Sequence, residues 1–353
     1  MSDALSAQPE ARALPGLTPA SQTTTTTTAR TSTARTSTIR TAIYAPPIGH
    51  DVASWRRRLA RMDASGLTAV SVSDHFLVAR QDPVPALGAL AMCTERLRVM
   101  ALVLCNDYRH PVLTHKAAST IDVLSGGRFD LGIGAGYLAA EYAAAGLPYD
   151  DARVRVDRLE ESLAVLEALF SGKPVDHHGT HYTVTGITGT PAPVQRPRPP
   201  FIIGGGGRRM LTLAGRHAQI AGIHSNLRAG TAYDAAVIED MVPERIARKI
   251  SWVREAAEQS GRDPDELDYL SITWTCRVVD RPSQTDAALA EVCAAYGVEV
   301  EIGRGSVGLL VGTVEQCVEQ LEERRETLGL TYVDFGAAKF TEVEPLITAL
   351  SER

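Results

Sequence analysis

The sequence predicts an α/β protein, a (β/α)8 TIM barrel with an insertion between its fourth helix and fifth strand. Short, nearly continuous apolar runs recur eight times between residues 39 and 336. Strands buried on both faces of a parallel sheet read this way. Amphipathic helical stretches separate the runs, so strand and helix alternate. No Gly-x-Gly-x-x-Gly follows the first run, as it would in an open dinucleotide-binding sheet.

The expected strands cover 39–45 (IRTAIYA), 68–73 (TAVSVS), 97–104 (LRVMALVL) and 128–133 (RFDLGI), then 200–203 (PFII), 218–223 (AQIAGI), 270–276 (LSITWTC) and 331–336 (TYVDFG). The expected helices cover 52–65, 83–95, 111–124, 151–171, 207–217, 243–260, 283–296 and 313–328. Gly172 and Pro174 stop the fourth helix. The segment 172–198 then reads as a hairpin with a Pro-rich return, inserted before the fifth strand. Residues 297–312 read as irregular. Barrel and insertion together make one domain over 39–353.

The first 38 residues carry Thr23 to Thr28 and Thr31-Ser32-Thr33 with almost no large apolar side chain. Such a segment cannot bury enough surface to offset its ordering entropy, and it is expected to be a disordered Ser/Thr-rich tail. Asp3 and Glu10 weigh against a transit peptide, so a cytoplasmic location is expected. No run of about 18 apolar residues exists, so no membrane partner is expected. The net charge of −6 argues against a nucleic-acid partner. The five cysteines, at 93, 105, 276, 293 and 317, form no Cys-x-x-Cys pair. That excludes a zinc ribbon.

In a barrel of this kind the loops after the strands build the active site. The fifth strand end gives Gly204, Gly205, Gly206 and Gly207, then Arg208 and Arg209 at a helix start. Glycines let backbone approach a phosphate, a helix amino end offers free N–H groups, and arginine adds forked donors. The second strand end gives Asp74-His75, a candidate acid–base pair. The sixth gives His224, Ser225 and Asn226. Gly132, Gly134 and Gly136, every second residue, mark close approach by a ligand or by tight barrel packing. Tyr137 stands just beyond, placed to meet a planar ligand or to cap the rim. His177, His178 and His181 lie on the hairpin without an acidic or Cys partner at ligand spacing, so no metal is expected. There is no Gly-x-Ser-x-Gly, no phosphate-loop motif and no lysine at a strand end. Hydrolase, ATPase and Schiff-base chemistry therefore lack an anchor. What remains suits a phosphorylated planar cofactor. Tyr44, Pro46, Phe76, Tyr108, Trp274 and the hairpin are the candidate substrate-lining positions.

Four stretches, SVSDHF (71–76), 97–150, FIIGGGGRRMLTLAGRHA (201–218) and 309–335, resemble the luciferase-like monooxygenase superfamily. Within it they look most like its coenzyme F420-dependent oxidoreductases. The phrase HPVLTHKAASTIDVLSGGRFDLGIGAG (110–136) carries most of the likeness. The resemblance implies a deazaflavin in the barrel mouth and hydride transfer at its C5, most simply F420H2-dependent reduction of a small-molecule or natural-product substrate. An FMN-dependent monooxygenase and a non-enzymatic flavin- or F420-binding barrel are the alternatives. His75 matches the histidine beside the ring and Asp74 an acid that contacts the cofactor. Leu102-Val103 matches a non-prolyl cis bond against the ring, Gly134 and Gly136 the glycines lining it, and Gly204 to Gly207 the phosphate loop. Tyr137 stands where some dehydrogenase relatives carry an acid, which argues against a sugar-phosphate dehydrogenase. Arg208, Arg209, Arg216 and Arg228 would offer cations to the acidic tail of F420. The resemblance also implies a homodimer.

Overall fold

The computed structural model describes residues 38–78, 81–227 and 234–353. The expected N-terminal tail, apart from Thr38, and Arg228 lie outside them. The chain runs β1 (Arg40–Tyr44), α1 (Val52–Asp63), β2 (Ala69–Val72), α2 (Pro83–Cys93), β3 (Arg98–Ala101), β4 (Leu104–Cys105), α3 (Pro111–Leu124) and β5 (Phe129–Gly134). It continues with α4 (Ala139–Ala145), α5 (Ala152–Phe170), β6 (Pro174–His178), β7 (Thr183–Thr188), β8 (Phe201–Gly205), α6 (Arg208–His217) and β9 (Ile220–Ile223). Next come α7 (Ala235–Glu239), α8 (Pro243–Gln259), β10 (Asp268–Ile272), β11 (Thr275–Val278), α9 (Thr285–Tyr296) and α10 (Val300–Gly305). The last elements are β12 (Leu309–Gly312), α11 (Val314–Leu328), β13 (Tyr332–Asp334) and α12 (Phe340–Ser351).

Eight of these strands pair in parallel around a closed ring, β1-β2-β3-β5-β8-β9-β10-β13 and back to β1. That is the (β/α)8 barrel the sequence predicts. The ring order sets β2 opposite β9, four strands away in either direction. Inward side chains fill the barrel with Ala42, Ala69, Met100, Ile202, Ile220, Leu270 and Tyr332. Outward ones join the helices in the larger core, where Leu59, Leu87, Phe129, Leu163 and Leu346 are buried. Asp, His or Thr side chains cap the starts of α1, α2, α3 and α11. Asp51 accepts from the Ser54 N–H at 2.9 Å, and Thr313 with Gln316 makes a reciprocal capping box.

Three expectations are corrected. The third strand is broken at the cis Leu102–Val103 peptide into β3 and β4. The seventh is two strands, because Thr273 and Trp274 turn the chain out of the barrel. β11 then pairs in parallel with β12, Thr275 opposite Leu309, so 297–312 holds a helix and a strand rather than an irregular connection. The barrel's last helix is α12, whose Val343, Leu346, Ile347 and Leu350 face the core at the spacing of a helical stripe. Between α5 and β8 an antiparallel hairpin, β6 with β7, occupies the place of the expected insertion. Glu161 of α5 anchors it, accepting the N–H groups of Thr180, His181 and Tyr182, and pairs with His177 Nε2 at 3.1 Å.

Candidate active site

Small residues on neighbouring strands open the barrel mouth. Gly134 on β5, Gly204 on β8 and Gly222 on β9 line one cavity of about 830 Å³ at the carboxyl ends of the strands. Gly204 and Gly222 pair directly, and a Cβ on Gly222 would sit 3.0 Å from the Gly204 Cα. Gly134 backs onto Val103, whose Cγ2 lies 2.9 Å from where its Cβ would be. Leu102 and Val103 line the cavity beside it. Gly132 and Gly136 have the packing role: a Cβ on Gly132 would meet the Ala101 carbonyl. One on Gly136, at φ +74°, would meet the Tyr142 hydroxyl. Gly136 still contributes to the cavity wall, as does Tyr137.

The second strand end delivers Asp74 and His75 to the cavity, in different states. Asp74 is buried, and its carboxylate is taken by the Arg109 guanidinium and by the Cys105 N–H at 3.0 Å. The acid that meets His75 is instead Glu141 of α4, whose Oε2 lies 2.9 Å from His75 Nδ1. Glu141 is 1% exposed. Its Oε1 accepts the Phe76 and Leu77 N–H groups at 2.9 and 3.0 Å, and its Oε2 accepts the Tyr108 hydroxyl at 3.3 Å. Burial alone would push the Glu141 carboxyl up. The Leu77 N–H, His75 and the Phe76 N–H outweigh it and hold the group below the usual carboxylate range. Glu141 is therefore a carboxylate, and a carboxylate only accepts, so Nδ1 carries the proton in this pair. The Tyr137 ring packs edge-on against His75, centroids 5.7 Å apart.

At the fifth strand end, Gly205 backs onto Met210, 2.7 Å from where its Cβ would be, and Gly206 presses against the Ser225–Asn226 backbone. A Cβ on Gly207 would meet nothing within 4 Å, and no side chain caps the amino end of α6 behind it. The first N–H groups of that ten-residue helix thus open beside the cavity, in the arrangement that holds anions. The arginines behave differently from expectation. Arg208 lies outside the cavity lining and pairs with Glu255 at 3.5 Å. Arg209 lines the cavity but pairs with Asp157, and Arg216 pairs with Glu160 at 3.2 Å. α5 presents Asp157 and Glu160 along α6, and α8 presents Glu255 to Arg208. Arg153, at the start of α5, is a lining cation for which the described residues show no carboxylate partner.

The far wall holds His224 and Trp274, rings edge to face with centroids 4.7 Å apart. His224 Nδ1 lies 2.9 Å from the Ser225 carbonyl. Burial pushes this imidazole down to about 4, and the Lys249 ammonium acts in the same direction. Lys249 is itself buried and donates to the His224 carbonyl at 2.9 Å, the Asp240 carbonyl at 2.8 Å and the Asp240 carboxylate at 2.7 Å. Tyr44 and Tyr108 also line the cavity, whereas Pro46, Phe76 and the hairpin do not. Phe76 instead stacks on the outside of Tyr108, 4.4 Å between centroids.

A closed parallel barrel with one apolar cavity, a histidine–carboxylate pair and an open helix amino end is the class of site that binds a planar phosphorylated cofactor. The profile of the luciferase-like monooxygenase family matches residues 24–304, and the chain belongs to that family. It is 34% identical over 161 residues to an F420-dependent glucose-6-phosphate dehydrogenase of Microbacterium testaceum, 44% of this chain and 47% of the relative. It is 33% identical over 137 residues to an FMNH2-dependent dimethylsulfone monooxygenase of Pseudomonas putida, 39% of this chain and 38% of the relative. These matches span less than half the length of either relative. The fold superimposes on the coenzyme F420-dependent tetrahydromethanopterin reductase of Methanopyrus kandleri with a TM-score of 0.68, covering 89% of this chain and 97% of that one at 19% identity.

Proposed function

We propose that this chain is an F420-dependent oxidoreductase that moves a hydride between deazaflavin C5 and a small organic substrate, in the reducing direction. The observation that carries the reading is the His75–Glu141 pair facing an apolar, glycine-walled cavity. The donor set fits the cofactor: Gly206, Gly207 and the uncapped amino end of α6 would hold its phosphate, with Arg153 beside them. Leu102, Val103 and Gly134 would bed its ring. When bound, the reduced deazaflavin supplies a hydride.

The protein's own part is proton management and positioning. His75 donates Nδ1–H to the Glu141 carboxylate, which fixes the ring, and Nε2, when protonated, would hand a proton to the reduced substrate. Glu141 is fixed by three further donors and cannot swing away. Asp74 serves by locking Arg109 and the Cys105 backbone, which shapes the wall.

FMN is the second reading, and a specific observation favours it: carboxylates hold Arg208, Arg209 and Arg216, so they do not form the cationic track that an acidic F420 tail would use. Titration of the purified protein with F420 and with FMN, followed by fluorescence, decides between them. Tighter F420 binding by about 100-fold, roughly 2.7 kcal/mol, is the expected result. The reverse preference overturns the F420 reading, and binding of neither overturns both.

A further inference from the structure

We propose that His224 is a specificity-determining residue whose Nε2 accepts a hydrogen bond from a hydroxyl on a small, largely apolar substrate. This rests on the oxidoreductase reading only for calling the ligand a substrate. The geometry at the residue stands by itself.

A carbonyl oxygen can only accept, so the 2.9 Å contact to the Ser225 carbonyl makes His224 Nδ1 the protonated nitrogen. In the neutral ring Nε2 is then a bare acceptor. The ring stays neutral because it is packed into the cavity wall, half-buried, and because Lys249 lies behind it, already spending one of its donors on the His224 carbonyl. Asp240, the other charged group packed here, is engaged by Lys249, Arg245 and the Asn226 N–H. Trp274 braces the ring from β10's end. The cavity wall around the pair carries Ile223, Leu270, Ile272 and Gly222, with Ser225 and Asn226 following His224. A fixed acceptor in such a wall selects a donor and rejects an acceptor, because an unmatched buried nitrogen costs free energy.

The opposite wall is different in kind. β2 and β9 face each other across the ring, so His75 and His224 border the cavity from opposite sides. His75, backed by a carboxylate, can carry and release a proton. His224, backed by a carbonyl and a lysine, orients without proton transfer. A substrate spanning the mouth would place its reacting carbon toward His75 and a hydroxyl toward His224. A ketone or enone without a second, donating substituent would leave the His224 Nε2 unmatched.

The test uses the purified full chain with phenol and anisole, which share ring and oxygen but differ in the O–H donor. The expected preference for phenol is at least about fivefold, the lower end of the cost of leaving an acceptor unmatched. His224→Phe abolishes the preference, and His224→Gln, which keeps an acceptor oxygen, retains part of it. Long-range 1H–15N spectra of the wild-type protein, assigned through bonds, are expected to show Nδ1 protonated and Nε2 bare. The Nε2 resonance is expected to move with phenol and not with anisole. No preference in wild type, an unchanged preference in His224→Phe, or an Nε2-protonated ring overturns the proposal. If a variant fails to fold, the wild-type tautomer and the phenol-dependent shift decide alone. Failure of F420 to bind would overturn the cofactor reading and leave these results standing.

Discussion

Glu141→Gln is the sharpest perturbation of the His75 pair, because it changes charge and one donor set while keeping shape. In wild type the carboxylate accepts four hydrogen bonds, two from backbone N–H groups, one from His75 and one from Tyr108. A glutamine can keep its oxygen toward Phe76 and Leu77. Its NH2 then faces His75 Nδ1 and the Tyr108 hydroxyl. Tyr108 can rotate its proton, but His75 must give up Nδ1–H and hold its proton on Nε2. All four charge-assisted bonds become neutral, at up to about 1 kcal/mol each, so a loss of about 2–4 kcal/mol is expected. For a chain of this size each 1 kcal/mol lowers Tm by about 1–2 °C. Catalytic turnover, once a substrate is in hand, is expected to fall by about 10²–10⁴-fold, the share general acid–base groups contribute.

The pH dependence has a fixed sign. The folded-state Glu141 carboxyl lies below its ordinary value, so its contribution is present above the unfolded value and is lost as pH falls through the folded one. The Tm gap between wild type and Glu141→Gln is therefore complete at pH 6–7 and closes below about pH 4. Thermal melts across that range, with 1H–15N spectra reporting the His75 tautomer, check both halves. A gap that stays constant to pH 3, or a His75 that keeps Nδ1–H in the variant, would refute the assigned roles.

Three further outcomes are expected. Gly206→Ala drives a Cβ into the Ser225–Asn226 backbone and is expected to cost about 1–3 kcal/mol and to abolish cofactor binding, whereas Gly207→Ala, with open space, leaves stability within about 0.5 kcal/mol; paired melts and titrations compare them. Arg153→Ala is expected to weaken binding of the phosphorylated cofactor and flatten its salt dependence, while Arg208→Ala changes affinity less than about twofold because Glu255 and its exposed position already occupy it; titrations at two salt concentrations read both. Lys249→Met removes a donor from the Asp240 carboxylate, which keeps Arg245 and the Asn226 N–H, and from the His224 and Asp240 carbonyls, so urea unfolding is expected to show a loss of about 1–3 kcal/mol.

The barrel was legible because its signal is repeated and local: eight apolar runs with helices between them state a parallel sheet directly. The seventh strand and the 297–312 segment were misread because β11 and β12 pair only with each other, across 30 intervening residues, outside the ring. Nothing local in Thr273-Trp274 announces that turn. α12 was legible in principle, since its buried positions follow a helical stripe, but Pro345 inside it masks the pattern. At the site, His75 and the glycine loop could be found because strand ends in a barrel are addressable from sequence. Glu141 could not: it lies 66 residues from His75 in an alanine-rich helix, and only the fold carries it under the β2 loop. Gly222 was hidden for a similar reason, because its role comes from pairing with Gly204.

The arginines carry the same lesson into function. Sequence proximity to a glycine loop makes Arg208, Arg209 and Arg216 look like ligand cations, yet charge is a property of neighbourhoods. α5 lies along α6 and presents Asp157 and Glu160 to two of them, and α8 presents Glu255 to the third. An acidic ligand tail would have to displace those carboxylates, exchanging one exposed ion pair for another at little net gain. On the proposed reading, anion binding near this loop would fall to the backbone N–H groups of α6 and to Arg153. A pair of that kind recognises a phosphate, which both F420 and FMN carry, and is indifferent to the rest of the cofactor. Discrimination between the two cofactors would then fall to the ring bed at Leu102, Val103 and Gly134, where the rings differ at the C5/N5 atom and in their edge substituents. That is why the side-by-side titration of F420 and FMN carries more information here than any count of basic residues.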